Sequence, residues 1–181
     1  MKVLQRIRSV SRRLPSGLVG GACVALLLSC ALPAGQAVAK EFKLSEQGIF
    51  GWLAVGNITM IDKGHAYWVG QFSGVYTEPD TSNPLNDSAW QCPGFNDVGT
   101  AAGGYCVISD AAGDALYAKW QNDGGVPVSK GTYVYTGGTG KFAGATGGGD
   151  FSGHFAGGPH PDGTQSGYTV FSNAKLVLVD K

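Results

Sequence analysis

The stretch that decides the fold runs from residue 131 to residue 151 and reads GTYVYTGGTGKFAGATGGGDF. Strand-forming residues predict two β-strands, one at residues 132–136 and one at residues 149–155, which begins within the stretch and continues beyond it. Between them, consecutive glycines allow positive φ angles and close packing, which a bulged turn requires. This stretch therefore predicts two neighbouring strands of a strongly curved β-sheet.

Glycine dominates the rest of the chain as well. It accounts for 30 of the 181 residues, and all but four of these glycines follow residue 39. An average protein contains about 7% glycine, so this excess among aromatic and β-branched residues indicates tightly curved strands and short turns. No stretch repeats apolar residues with the 3.6-residue period of a helix. Four tryptophans and many other aromatic residues are enough for one core in one domain.

Strand patterns recur at regular spacing, with turn signals between them. They predict seven to nine short strands, which are typical of a β-sandwich or an up-and-down barrel. The glycines favour the barrel, because closing a sheet requires strong curvature and bulges. The fold class predicted is all-β, with a single antiparallel eight-stranded β-barrel. The predicted strands cover residues 50–61, 66–77, 89–92, 104–109, 115–121, 132–136, 149–155 and 168–179.

Alternation predicts which side chains share a strand face, because successive side chains of a strand point to opposite sides. The first strand is expected to place Phe50, Trp52, Ala54, Ile58 and Met60 on one side. The second is expected to place its bulky rings on one face, together with two glycines that leave room for neighbouring aromatics. The residues of that second face are Trp68, Gly70, Phe72, Gly74 and Tyr76.

The first 39 residues have the three-part build of a secretory signal peptide. A basic start without acidic residues carries Lys2, Arg6, Arg8, Arg12 and Arg13. An apolar run of about 15 residues follows, which is shorter than the roughly 20 residues of a membrane-spanning helix. The small-x-small motif Ala37-Val38-Ala39 then predicts cleavage between Ala39 and Lys40. We therefore expect a signal peptide over residues 1–39 and a single β-barrel domain over residues 40–181, in a secreted or periplasmic protein.

Other interpretations of this segment remain open. The sequence Leu27-Leu28-Ser29-Cys30 resembles the lipobox of bacterial lipoproteins, so the alternative is a lipoprotein anchored at Cys30. A retained membrane anchor is a further alternative. The Arg12-Arg13 pair is only a weak twin-arginine signal, because the Phe-Leu expected after it is missing. The intact mass of the exported protein distinguishes cleavage after Ala39 from processing at Cys30.

Charge after residue 39 argues against two classes of partner. All four arginines precede residue 40, which leaves eight lysines against 13 acidic residues and a net charge of about minus five. Nucleic acid calls for clustered lysine and arginine, so we expect no nucleic-acid partner. Anionic membrane surfaces are equally unfavourable, and no membrane span is expected in the mature domain.

Two cysteines remain after the signal region, Cys92 and Cys106. An even pair in an exported protein predicts a disulfide. Its loop of about 15 residues is worth roughly 3 kcal/mol in the chain-entropy model. Two free thiols are the alternative, whereas the absence of CxxC spacing and of a nearby histidine argues against zinc.

The glycine-rich stretch resembles a segment of a known superfamily. Its residues 137–147 match the Gly-Gly-Thr-Gly-x-aromatic-x-Gly-x-x-Gly run that joins two barrel strands in the allene oxide cyclase barrel-like proteins, and more distantly in the dirigent proteins. Upstream, Gly104-Tyr105-Cys106-Val107-Ile108-Ser109-Asp110, followed by Gly113-Asp114 and Trp120, is similar to exported bacterial members. The resemblance spans roughly residues 90 to 155, under half of the mature domain.

The resemblance implies a compact, calycin-like eight-stranded barrel with a hydrophobic cavity. Plant relatives cyclise an unsaturated fatty-acid epoxide or steer phenoxy-radical coupling, often as trimers or other oligomers. A lipid-derived substrate and a homo-oligomer are therefore implied, although many bacterial relatives have no assigned activity. No catalytic residue carries over, because no motif here matches the carboxylate-bearing lumen of the plant cyclases. The cysteine pair also departs from the plant pattern.

Polar side chains offer weak candidates for chemistry. Asp150, Ser152 and His154 alternate, so they share one strand face and form the best local acid–base group. Phe151 and Phe155 on the opposite face are more natural core residues, which makes a solvated polar face the simpler interpretation. His154, His160 and Asp162 lie around a flexible loop and do not predict a metal site. We expect neither a metal nor a cofactor, and whether the protein is an enzyme stays open.

Aromatic side chains supply the candidate ligand site. Trp52, Trp68, Phe72 and Trp120 are predicted either to line a lumen cavity or to fill the core. Many aromatics in a curved barrel, without a convergent polar site, favour binding of a small apolar molecule in the lumen. Two alternatives remain: an isomerase or cyclase with a buried ionisable group, and a structural or interaction module of the cell envelope with an apolar outer patch.

Overall fold

A computed structural model describes residues 38–158 and 160–179 of the chain. These residues form nine β-strands and one short 3₁₀ turn at Gly140–Phe142. The predicted signal peptide, its cleavage motif up to Ala37 and Cys30 lie outside the described residues. The strands are β1 (Ala39–Lys43), β2 (Ile49–Asp62), β3 (His65–Thr77), β4 (Ser88–Asp97), β5 (Ala101–Ser109), β6 (Ala115–Asn122), β7 (Val128–Gly138), β8 (Thr146–Ala156) and β9 (Gln165–Val179).

Eight of these strands close into an antiparallel barrel, which confirms the predicted fold class. Strands β2 to β9 pair with their neighbours in chain order, and β9 pairs back onto β2. The closing contact runs from Ile49 opposite Val170 to Ala54 opposite Gln165. The remaining strand, β1, pairs with the second half of β9, next to the part of β9 that pairs with β2. Within the described ranges, no helix has the length and apolar character that a membrane span requires.

Several strands are longer than their sequence pattern predicts. The strand predicted at residues 89–92 extends to Asp97 in β4, and the glycines from Gly147 to Gly149 belong to β8. Backbone hydrogen bonds to neighbours on both sides extend a strand through residues that local propensity disfavours. The residues predicted to share one face of β2 are buried only as far as Ala54. Ile58 and Met60 are 38% and 61% exposed, because they lie beyond the point where β9 closes the barrel.

A row of glycines crosses four neighbouring strands at one level of the barrel. Gly56, Gly70, Gly94 and Gly104 are successive cross-strand partners on β2, β3, β4 and β5. A β-carbon added at Gly70 would lie 2.4 Å from the Trp68 ring and 2.3 Å from the carbonyl oxygen of Val55. We call these four residues the glycine row. The indole rings of Trp68 and Trp120 cover the glycine row from the inside. At this level of the barrel, the large rings therefore pack directly against closely spaced backbone.

The glycine-rich turn between β7 and β8 closes one end of the barrel. Phe142 in its 3₁₀ turn is fully buried, as is Leu85 from the loop between β3 and β4. The Lys141 ammonium lies 2.8 Å from the Asp110 carboxylate, and the Asp114 carboxylate accepts the backbone N–H of Lys141 at 2.9 Å. The stretch that predicts the fold therefore also seals the core.

The predicted disulfide between Cys92 and Cys106 is confirmed. The two residues lie on the neighbouring strands β4 and β5, with 4.0 Å between their Cα atoms. Both side chains are buried on the inner face of the wall. A buried disulfide is typical of a protein that matures in an oxidising compartment.

Candidate functional site: the barrel lumen

The lumen contains a cavity of about 80 Å³ walled mainly by aromatic rings. Phe72, Phe151 and Phe155 face it and remain only partly buried, so part of each ring borders open space. The disulfide and Ala118 form part of the wall. The nine aromatic residues that line the cavity are Phe50, Trp52, Phe72, Trp90, Trp120, Tyr133, Phe151, Phe155 and Phe171.

Strand alternation brings these rings together from seven different strands. The Trp52 ring meets those of Phe72 and Phe155 edge-on, with centroids 5.0 Å and 5.3 Å apart. Phe72 also meets Trp120 edge-on at 5.9 Å. Edge-to-face contacts of this kind add about 0.5–1.5 kcal/mol each beyond the area they bury. The packed rings thus fix the shape of the cavity and make its wall apolar.

Two polar groups on this wall lack a partner. Trp52 Nε1 donates to Thr169 Oγ1 at 3.1 Å, and Trp90 Nε1 donates to Ser88 Oγ at 2.8 Å. By contrast, Trp120 Nε1 and the Tyr133 hydroxyl are buried with no hydrogen-bond partner among the described residues. A buried, unsatisfied polar group costs about 1–3 kcal/mol, so each calls for an explanation. Both belong to residues that line the cavity.

A buried acid–tyrosine cluster lies at the closed end of the barrel. It consists of Tyr76 and Glu78 from the end of β3, and Tyr133 and Tyr135 from β7. Glu78 Oε2 accepts the backbone N–H of Ser45 at 2.8 Å. The Tyr76 hydroxyl lies beside the Glu78 carboxyl, and the Tyr133 and Tyr135 hydroxyls lie beside each other, but none of these contacts has the geometry of a full hydrogen bond. Tyr133 belongs to both the cluster and the cavity wall, so the two are continuous.

Burial shifts the pKa of every group in this cluster upward. Desolvation raises the pKa of the Glu78 carboxyl above its ordinary value. It raises the pKa of Tyr133 to about 12, and it also raises the pKa values of Tyr76 and Tyr135. In each case the low-polarity surroundings disfavour the charged form. The cluster therefore holds its protons more tightly than the same groups in water.

Replacing Glu78 with glutamine is expected to stabilise the protein at pH 8 and to do so less at pH 4. The folded-state pKa of Glu78 is raised, so its stabilising contribution is complete below the ordinary pKa of 4.5. That contribution is lost as the pH rises from there through the folded-state pKa. Glutamine can still accept the Ser45 N–H and lacks only the charge, so the expected gain at pH 8 is the cost of burying that charge, on the order of 1 kcal/mol. Urea unfolding of both proteins at the two pH values measures it, and an equal difference at both would contradict the assignment.

Three of the four aromatics predicted for ligand binding line the cavity, namely Trp52, Phe72 and Trp120. The fourth, Trp68, is buried beside it, with its ring 4.9 Å from that of Phe72 and its Nε1 donating to the carbonyl of Gly163 at 3.3 Å. Trp68 therefore packs against the cavity wall at Phe72 and is not one of the residues that line the cavity. A role in ligand binding stays a prediction for all four.

The catalytic candidates Asp150 and His154 lie away from the cavity. Asp150 accepts a hydrogen bond from Asn173 Nδ2 at 2.9 Å on an exposed surface. The His154 ring stacks on its cross-strand partner Tyr168, with centroids 4.7 Å apart. Phe151 and Phe155, between and beside them in β8, are the residues that face the lumen. Catalysis by Asp150 and His154 stays a prediction. Neither residue lines the lumen cavity.

The described chain brings no three His, Cys, Asp or Glu residues together in a group that could hold a metal ion. Asp162, considered above with His160, instead accepts the hydroxyl and the backbone N–H of Thr164 at 2.7 Å and 3.0 Å. These bonds stabilise the loop between β8 and β9, as aspartate commonly does in turns.

Local sequence patterns do not single out the acid–tyrosine cluster. Glu78 continues the inward alternation of Trp68, Phe72 and Tyr76 by two residues, beyond the end of the predicted strand at residue 77. Tyr133 and Tyr135 alternate in the same way on β7. Alternation along each strand predicts that these side chains point inward. It does not predict which strands face each other across the barrel, so it could not show that the four side chains form a cluster.

Comparisons with known proteins find a similarity of shape to solved structures. No protein-family model matches the chain, and no curated protein matches it. Among solved structures, the chain is similar to the pterocarpan synthase dirigent protein GePTS1. That similarity has a TM-score of 0.46 at 15% sequence identity and covers 81% of this chain and 94% of the other.

Proposed function

We propose that this protein is exported and binds a small apolar molecule with a hydrogen-bond acceptor in its lumen. In this proposal residues 1–39 are removed and residues 40–181 form the mature barrel domain. The observation that carries the binding proposal is the pairing of an aromatic cavity with the unpartnered Trp120 Nε1–H and Tyr133 hydroxyl. A ligand oxygen that accepts a hydrogen bond from either group offsets the cost of burying it.

Cavity size limits the ligand. An apolar cavity of about 150 Å³ in another protein accommodates benzene. The lumen cavity, at about 80 Å³, has roughly half that volume. A ligand of about four heavy atoms, or one end of a larger molecule, therefore suits it better than a whole fatty-acid derivative.

Acetone and isobutene form a matched pair of probes, because they have the same shape and only acetone has an oxygen. We expect acetone, titrated into the protein purified after export, to shift the indole N–H signal of Trp120 in NMR spectra. The affinity should be in the millimolar range, because a ligand this small gains at most about 1.5 kcal/mol per heavy atom.

The variant Trp120→Phe keeps an aromatic ring and removes the donor. It should weaken acetone binding by about fivefold to tenfold, the value of one hydrogen bond, and leave isobutene binding unchanged. If neither probe shifts the signals of the cavity tryptophans, the lumen is not a binding site. If the wild type and Trp120→Phe bind acetone equally, Trp120 is not the donor.

A second candidate function is acid–base chemistry on the bound molecule. The observation that favours it is the acid–tyrosine cluster, which shares Tyr133 with the cavity and holds a carboxylate with a raised pKa. Perturbed ionisable groups beside a cavity are typical of catalytic sites. In heavy water, a catalysed exchange removes a proton from the methyl carbon of acetone and returns a deuteron. Loss of the acetone proton signal above the buffer rate would mark this activity, and no loss would exclude it for this probe.

A further inference from the structure

The outer wall of the barrel carries a large groove, which shares only Trp120 and Asn122 with the lining of the lumen cavity. It crosses strands β3 to β7 and has a volume of about 960 Å³, at the upper end of the range for ligand sites. Four strand spacings of about 4.8 Å make it roughly 19 Å long, which suits an extended ligand. Its base contains the backbones of Gly70, Gly94, Gly103, Gly104 and Gly131.

The tight bend of the sheet and one missing outer side chain account for this groove, because β-carbons added to the glycine row would point inward, at the rings of Trp68 and Trp120. Three members of the glycine row, Gly70, Gly94 and Gly104, lie in it as successive cross-strand partners. A β-carbon added at Gly104 would lie 2.2 Å from the carbonyl oxygen of Pro93, so the sheet is tightly bent here. On the outer face, Gly103 leaves room between Phe95 and Gln121, its partners on β4 and β6.

One half of the groove is an aromatic surface. The rings of Tyr67 and Phe95 lie stacked, with 5.9 Å between centroids and 13° between planes. Tyr105 on the next strand is 59% exposed, and Phe95 is 37% exposed. Exposed rings on one contiguous wall mark a surface that binds something. Flat apolar rings suit a ligand with flat apolar faces.

The other half of the groove is cationic. Lys119 and Lys130 line it, and no carboxylate does. Within residues 38–158 and 160–179, neither lysine takes part in an ion pair, whereas Lys141 and Lys175 are paired with Asp110 and Glu41. Two unpaired ammonium groups in one groove of a chain with excess acid indicate an anionic ligand.

Carboxylates next to the groove are engaged elsewhere. Asp97, opposite Tyr67, is hydrogen-bonded to His65. Asp123 accepts the backbone N–H groups of Gly125 and Lys130 at 3.0 Å and 3.1 Å. Asp97 ends β4 and Asp123 follows β6, so these contacts hold both carboxylates at strand ends beside the groove. The positive charge of Lys119 and Lys130 therefore stays available to a ligand.

We propose that this groove binds an acidic polysaccharide built of uronate sugars. Sugar rings have flat C–H faces that pack on aromatic rings, and uronate carboxylates pair with lysine. An extended chain uses both halves of the groove at once. Single-stranded nucleic acid also stacks and carries negative charge, but its dense phosphates favour a strongly basic surface, and this groove has only two lysines.

The experiment compares two hexasaccharides of equal length on the protein purified after export. An oligogalacturonate is the acidic probe, and a cello-oligosaccharide is the neutral one. Isothermal titration calorimetry is expected to show binding of the acidic probe that weakens with added salt. The neutral probe should bind at least about fivefold more weakly, the value of one or two exposed ion pairs.

A charge-matched pair of variants locates the site. The double variant Lys119→Gln/Lys130→Gln should weaken binding of the acidic probe by about fivefold to tenfold. The control Lys43→Gln/Lys63→Gln removes the same charge outside the groove and should bind within about twofold of wild type. The variant Tyr105→Ala tests the aromatic half and should weaken both probes.

Three results would overturn the proposal. Equal binding of the acidic probe by the groove and control variants would remove the lysines from the site. Equal binding of both probes by the wild type would exclude recognition of acidic sugars. Tighter binding of a single-stranded oligonucleotide, lost in the groove variant, would assign the groove to nucleic acid instead. None of these results depends on the lumen, which the acetone titration tests separately.

Discussion

Replacing Gly70 with valine is expected to unfold the barrel or to lower the free energy of unfolding by about 4 kcal/mol or more. A β-carbon at this position would lie 2.3 Å from the carbonyl oxygen of Val55, 2.4 Å from the Trp68 ring and 2.6 Å from the Cα of Gly56. Two of these three atoms are backbone of the paired strand, so a side-chain rotation cannot relieve the overlap.

Gly51→Val is the matched control for this prediction. Gly51 lies on β2 in the same hairpin, and a β-carbon added there meets no atom within 4 Å. Valine favours strands, so this variant should be neutral or slightly stabilising. Urea unfolding of both variants, followed by circular dichroism, gives the comparison. Gly70→Ala provides a milder change at the same site if the valine variant does not fold. Wild-type stability of Gly70→Ala would refute the close approach across the glycine row.

The second large effect is expected from removing the disulfide. The double variant Cys92→Ala/Cys106→Ala removes a bridge between residues 14 positions apart in sequence. In the chain-entropy model, closing a loop of this length stabilises the folded protein by roughly 3 kcal/mol. The side chains also line the lumen, so their removal enlarges the cavity and adds to the loss. For a domain of this size we expect the midpoint of thermal unfolding to fall by about 10 °C.

Reductant provides the control for the disulfide prediction. Dithiothreitol in urea should destabilise the wild type to about the level of the alanine variant, and should leave the alanine variant unchanged. Wild-type stability of the alanine variant would show that the bridge contributes nothing to folding. A loss caused by reductant in the alanine variant would show that the effect arises elsewhere.

Much of the fold was predictable because local patterns and turn chemistry agree. Asp110 to Asp114 and Glu78 to Asp87 connect strands in the structure, and both segments are rich in glycine, proline, asparagine and aspartate, the residues typical of turns. The cysteine pair was also predictable, because two cysteines allow only one pairing. Boundaries were less accurate: β7 begins at Val128 rather than at residue 132, since its first residues are held in the sheet by cross-strand bonds to β8.

The candidate site was only partly predictable. Alternation placed Trp52, Phe72 and Trp120 on inward faces, and all three line the cavity. The same reasoning could not separate them from Trp68, which is buried on the same inner face but does not line the cavity. It also could not show that Trp120 Nε1 lacks a partner while Trp52 Nε1 has Thr169, a residue 117 positions away. Those differences depend on pairing between strands distant in sequence.

Composition, alternation and turn signals were enough to predict an all-β chain, a disulfide and a sheet curved by glycine, because all three signals are local properties of the sequence. The cross-strand register settled everything that concerns neighbours. It aligned Gly56, Gly70, Gly94 and Gly104 into one row, and it brought Glu78 beside the tyrosines of β7. A shift of one residue in any pairing would turn each inward side chain outward, so cavity and groove exist only in the folded barrel.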